Sequence, residues 1–211
     1  MISTQAHGLA ALLLRDVPMQ QRENMGLFIG TRYGCLEDDR IFQQSRREDG
    51  GKFASPAAFR RTLPSTLPAE LSIAFGIRGP LITYAESDAP AMIAIIRAYH
   101  WIATGRISTA VAGSFDFLLT GPSNCSAAPI CRTVLCLMAA RGTFHDLNIW
   151  AEITHAAIET NIPSMDQTAA RTDETDFTTI FSAITATNRS PVNVTQASRH
   201  GQRCTLKLAQ I

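Results

Sequence analysis

Residues 89–104 constrain this chain more than any other segment. Asp88 precedes them, Pro90 stands in their first turn and Gly105 follows, which together are the start and stop signals of one helix. Between those marks Met92, Ile93, Ile95, Ile96, Tyr99, Trp101 and Ile102 leave almost no polar face. A helix apolar nearly all round is predicted to be buried on most of its surface. One sheet cannot cover that much, so the helix is expected to sit between two sheets or to meet a partner chain.

Strand-like runs surround it. Residues 26–30 form a short apolar run between glycines, 81–85 follow Gly79-Pro80, and 109–113 are small and apolar. Residues 131–140 read as a further strand, 148–154 as a strand or a helix, and 192–208 alternate weakly enough to suggest a hairpin. Helices are predicted at 6–14, at 36–48 with Leu36, Ile41 and Phe42 inward, at 69–75 and at 175–186. Asp49-Gly50-Gly51 ends the second of these, and Pro56, Pro64 and Pro68 make 53–68 a loop with short helical turns at most. Strands alternating with helices predict an α/β layered fold. At 211 residues, 45% of them hydrophobic, the chain has length for one well-buried domain.

Charge excludes more than it suggests. The net charge is +1, and the pairs Arg46-Arg47 and Arg60-Arg61 are isolated, so neither nucleic acid nor an anionic membrane is an expected partner. The five cysteines (Cys35, Cys125, Cys131, Cys136, Cys204) lack metal spacing and read as free thiols of a soluble, cytoplasmic protein. No phosphate-cradling loop or dinucleotide fingerprint occurs, and Gly113-Ser114 is followed by Phe115-Asp116 rather than completing a G-x-S-x-G elbow. No cofactor or metal is expected.

Several short motifs stand in a telling order. Gly30-Thr31-Arg32-Tyr33-Gly34 comes first, then Phe59 with Thr62-Leu63-Pro64, then Phe75-Gly76-Ile77-Arg78-Gly79-Pro80. The strand at 81–85 and the long helix follow, then Val111-Ala112-Gly113-Ser114-Phe115-Asp116, and finally Ile149-Trp150-Ala151-Glu152-Ile153. In this order they resemble the N-terminal half of the β-ketoacyl synthases of the thiolase superfamily. The resemblance covers roughly residues 24–155, and it is the order and spacing that carry it. It implies a thiolase-like layered fold, mostly the N-terminal βαβαβ half, with the helix 89–104 at its centre. Residues 1–211 are then a single domain in which 156–211 are a reduced C-terminal extension. The opening V-V-I-T-G strand of the family is missing.

The same resemblance shows which chemistry is absent. A ketosynthase takes up its acyl chain on a cysteine at the strand-to-helix elbow, where the helix N-terminus lowers the thiol pKa. Counted from Gly79-Pro80, that position is Asp88, and a carboxylate forms no thioester. Capping of the helix is the plainer role for Asp88. Glu86 and Asp88, two apart, are a poor paired-carboxylate site. The two family histidines, in H-G-T-G-T and G-F-G-G-T-N contexts, have no counterpart, since His200-Gly201-Gln202 shares only two residues with the first. No catalytic residue is therefore expected.

The resemblance implies a non-catalytic subunit of the chain-length-factor type, working in a fatty acid, polyketide or aryl-polyene synthase system. Its partner would be an active ketosynthase or a second copy of itself, with acyl carrier protein as a further partner. Leu81, Ile82, Thr83, Tyr84 and Ala85 would form the dimer-interface strand. Glu86, Ser87, Asp88 and Met92 would line an acyl pocket. The alternatives are a residual acyl-thioester hydrolase or decarboxylase with Asp88 as base, and a homodimeric module that binds an acyl chain or its carrier protein.

Overall fold

The first buried strand, β1 (Gly26–Thr31), is covered on both faces at every residue, as expected for a central strand of a parallel sheet. It pairs in parallel with β2 (Leu81–Ala85) on one side and with β3 (Thr109–Leu118) on the other; β4 (Ile130–Ala139) closes the sheet antiparallel to β3. The order is β2-β1-β3-β4, with β1 paired directly to β3. The computed structural model describes residues 2–48, 50, 54–85, 89–118, 130–143, 152–159, 192–197 and 203–209.

Alternation along the strands divides the core in two. Phe28, Ala110 and Ala112 face the helix α6 (Pro90–Ala103) and pack on Met92, Ile93 and Ile96. Leu27, Ile29, Val111 and Phe115 face the other way, toward Ala6, Ala10 and Leu14 of α1 (Ile2–Leu14) and Leu71 of α5 (Thr66–Phe75). Side chains of period two thus serve two helical layers at once.

The far side of α6 is covered by the chain itself. Strands β5 (Glu152–Glu159), β6 (Val192–Ala197) and β7 (Arg203–Ala209) form a second, antiparallel sheet in the order β5-β7-β6, and α6 lies against β5 and β7 as well as β1 and β3. The predicted hairpin of the tail is the β6–β7 pair. The apolar excess of α6 is therefore absorbed within the chain, and it gives no support for a partner on that surface. Four layers result: α1 with α5, the mixed sheet, α6, and the antiparallel sheet.

Other elements adjust the sequence reading. The helix α3 (Leu36–Glu48) has the predicted bounds, but Leu36 and Ile41 are 40% and 50% exposed rather than inward. Phe42 is half-buried against Phe59 of the short helix α4 (Pro56–Arg60), with ring centroids 5.4 Å apart. The helix α5 starts three residues earlier than predicted, because Pro68 falls in the first turn, where no N–H bond is lost. Gly105 closes α6 at φ 70°, with Gly105 N–H donating to the Ile102 carbonyl and Arg106 N–H to that of Trp101, a Schellman arrangement. The predicted helix at 175–186 lies outside the described residues, as do 148–151. No helix among the described residues is long and apolar enough to cross a membrane.

One cation fastens the outer helical layer. Arg22, at the end of α2 (Met19–Arg22), donates to the carbonyls of Leu14 at 2.6 Å, Val17 at 2.9 Å and Phe75 at 3.4 Å. Leu14 and Phe75 end α1 and α5, so one guanidinium satisfies orphan carbonyls at two helix C-termini and complements both dipoles. Arg22→Ala is expected to cost about 2 kcal/mol, measured by urea unfolding, with Arg22→Lys recovering part of it.

Candidate functional site

The elbow is built on one left-handed turn and one close approach. Strand β2 leads into residues 86–88, and Ala89 then turns the chain into α6 with φ 52° and ψ 41°, a left-handed conformation unusual for alanine. Pro90 follows in the first helical turn, and the Ala89 carbonyl accepts from Ile93 N–H at 3.0 Å. Beneath the turn lies Gly30 of β1. A Cβ there would fall inside the van der Waals radius of the Pro90 carbonyl oxygen, so only glycine fits. The helix N-cap is thus Ala89, which makes no side-chain cap bond. This corrects the expectation that Asp88 occupies the cap, because the left-handed turn moves the boundary one residue on. Glu86, Ser87 and Asp88 themselves lie outside the described residues.

A buried carboxylate holds the neighbouring turn. One oxygen of Asp116, at the end of β3, accepts from Arg32 N–H at 2.7 Å, the Thr31 hydroxyl at 3.0 Å and Tyr33 N–H at 3.1 Å. The Thr31 hydroxyl oxygen accepts in turn from Gly34 N–H at 2.9 Å. Burial pushes the Asp116 carboxyl above its ordinary range, with the three donors and the Arg32 charge pulling the other way. The first motif and the Val111–Asp116 motif are therefore two halves of one hydrogen-bonded unit.

Beside that turn lies a cavity of about 190 Å³, floored by Leu67, Phe115 and Phe117 and rimmed by Cys35, Asp38 and Arg61. Periodicity gave no sign of it, since its wall is assembled from α3, the 61–67 segment and β3. Burial, and after it the charge of Asp39, push the Cys35 thiol up to about 11, and the thiol donates to the Thr62 carbonyl. Burial pushes Cys136 up to about 12, against an opposing hydrogen bond to the Ala112 carbonyl. Neither is a thiolate near neutral pH, so neither has the character of a nucleophile. Asp38 is also raised by burial, with Arg61 opposing.

The remaining sequence-predicted residues divide clearly. Met92 is fully buried in the α6 core and borders none of that cavity. Leu81, Ile82, Thr83, Tyr84 and Ala85 form β2, at the edge of the sheet, half-buried with exposed ends. Leu27 N–H donates to the Pro80 carbonyl at 2.7 Å, which turns the even-numbered residues of β2 toward β1. The backbone groups of Leu81, Thr83 and Ala85 then point away from the sheet.

The comparisons with known proteins match this geometry. The family model described as "Beta-ketoacyl synthase, N-terminal domain" matches residues 10–128, more than half of the chain. A Streptomyces halstedii protein named as a polyketide β-ketoacyl synthase is 32% identical over 107 residues, spanning 48% of this chain but only 25% of that protein. Among solved structures, the ishigamide ketosynthase/chain length factor aligns with TM-score 0.69 at 14% identity, over 90% of this chain and 74% of that one. A ketosynthase in complex with its chain length factor from Xenorhabdus doucetiae aligns with TM-score 0.59 at 14% identity, over 99% and 76%. A type II ketosynthase bound to its acyl carrier protein and a hexaketide aligns with TM-score 0.64 at 15% identity, over 96% and 81%. At such identities the structures speak for the fold, which is thiolase-like. The elbow, the turn clamped by Asp116 and the matched span lead to one conclusion: the chain belongs to the β-ketoacyl synthase family, by its N-terminal domain.

Proposed function

We propose that this chain is a ketosynthase-like subunit without condensing activity, which pairs with a cysteine-bearing ketosynthase through the outer edge of β2. The observation that carries the reading is the edge itself. The backbone groups of Leu81, Thr83 and Ala85 face outward beside no strand among the described residues, and an edge of that kind is a template for strand addition. The sequence supports the other half of the reading, since, counted from Gly79-Pro80, Asp88 falls at the position of the family's nucleophile. In this reading residues 156–211 are a reduced extension whose sheet covers α6, and the pair serves a polyketide, aryl-polyene or fatty acid synthase system with an acyl carrier protein as substrate donor.

The test is co-expression with a type II ketosynthase and its carrier protein. The two chains are expected to co-purify, and Thr83→Pro, which removes an outward N–H while sparing the inner ladder, is expected to weaken the complex at least tenfold with the fold intact by circular dichroism. No turnover of malonyl- or acyl-carrier protein by the isolated chain is expected. Turnover that vanishes in Asp88→Ala would replace this reading with the hydrolase or decarboxylase one.

A further inference from the structure

The cavity of about 190 Å³ beside the Asp116 turn has an apolar floor, Leu67, Phe115 and Phe117, and charged side chains around it. Most of its polar lining is already engaged. Glu37 pairs with Arg40 at 3.5 Å and Glu70 with Arg60 at 4.0 Å, and neither arginine belongs to the lining. The Cys35 thiol donates to the Thr62 carbonyl, and the Thr66 hydroxyl donates to that of Arg60 at 2.8 Å. Two charged groups remain. Asp38 and Arg61 line the same cavity, each without an ion pair or side-chain hydrogen bond among the described residues. Asp38 is half-buried in the first turn of α3, whereas Arg61, just past the end of α4, is exposed.

We propose that this cavity binds a free apolar α-amino acid of about leucine size. Its ammonium would meet Asp38, its carboxylate Arg61, and its side chain the floor of Leu67, Phe115 and Phe117. Small-ligand sites are of this kind, an apolar concavity with a few convergent polar groups that fix orientation. A guanidinium takes a carboxylate through two parallel N–H bonds, and an ammonium replaces the water that burial removes from Asp38. A cavity of about 150 Å³ accepts a benzene ring, so this one, at about 190 Å³, has room for a branched aliphatic side chain with its head group. An amine or an acid alone would leave one of the two wall charges unmatched. None of the lining residues belongs to β2 or to the elbow, so the inference stands apart from the pairing proposed above.

Ligand-observed NMR titration of the full chain tests it with L-leucine, isopentylamine, isocaproate and glycine, which remove the carboxylate, the ammonium or the side chain in turn. L-Leucine is expected to saturate with Kd about 1 mM, and each of the others to bind at least tenfold more weakly. Arg61→Gln should weaken leucine about tenfold and leave isopentylamine unchanged; Asp38→Asn should weaken both and leave isocaproate no weaker. A merely structural role for either residue would not produce that crossed pattern. Leucine that fails to saturate by roughly 20 mM, or that binds wild type no better than isopentylamine or isocaproate, overturns the inference, and neither result depends on the variants folding. A leucine affinity unchanged in both variants overturns it as well.

Discussion

Gly30→Val is expected to destabilise the protein by about 3 kcal/mol and to lower its melting temperature by roughly 10 °C. The reason is local and steric. A side chain at Gly30 meets the Pro90 carbonyl oxygen and the Pro90 Cβ, and neither can yield without moving the first turn of α6. That turn is already committed to a left-handed alanine and to full burial of Met92 and Ile93. Differential scanning calorimetry measures the effect, and Gly8→Ala supplies the control. Gly8 has open space where its Cβ would go and lies inside α1, so alanine there should stabilise by roughly 0.5–1 kcal/mol. Equal loss at both positions would mean that the elbow is not packed as described.

Asp116→Ala should cost a similar amount, about 3 kcal/mol, because it strands three donors at once, among them the fully buried Thr31 hydroxyl. Asp116→Asn keeps a carbonyl oxygen at the accepting position and should lose about 1 kcal/mol. The two variants also separate in their pH dependence. Burial raises the Asp116 carboxyl above its ordinary value of 3.8, so the folded state holds that proton to higher pH than the unfolded chain does. Its contribution is therefore fully present below pH 3.8 and declines as pH rises through the raised value. Stability curves from chemical denaturation across the acid range should show that decline in wild type and a shallower one in Asp116→Asn. A wild-type curve that rises with pH over the same interval, and flattens in Asp116→Asn, would mean that the three donors outweigh burial.

Much of the layered architecture was legible because it is written in period and punctuation. Residues 26–30 and 81–85 are short apolar runs bounded by glycine or proline, and they are β1 and β2. The missing polar face of 89–104 implies burial by a second sheet or by a partner chain, and the antiparallel sheet supplies it. Three things were harder to read. Helical spacing points Leu36 and Ile41 inward, but α3 packs through Phe42 on a helix of only five residues, too small to cover a full stripe. Side-chain chemistry points to Asp88 as the α6 cap, whereas the backbone turn at Ala89 sets the boundary. The pairing of Asp116 with Thr31–Gly34 joins residues more than eighty positions apart, and no local pattern encodes such a contact. Its two motifs were visible singly, and only their order hinted that they meet.

The enclosure of α6 also fixes a sequence of events during synthesis. Its first covering surface, β1 and β2, is made before it, but the strands that close its far side end at Ala209. At ribosomal rates the helix waits on the order of ten seconds with an uncovered apolar flank. That interval is when a trigger-factor-like chaperone, or an already folded companion protein, has most to gain by holding the nascent chain, and when truncation after β4 would leave a product prone to aggregate.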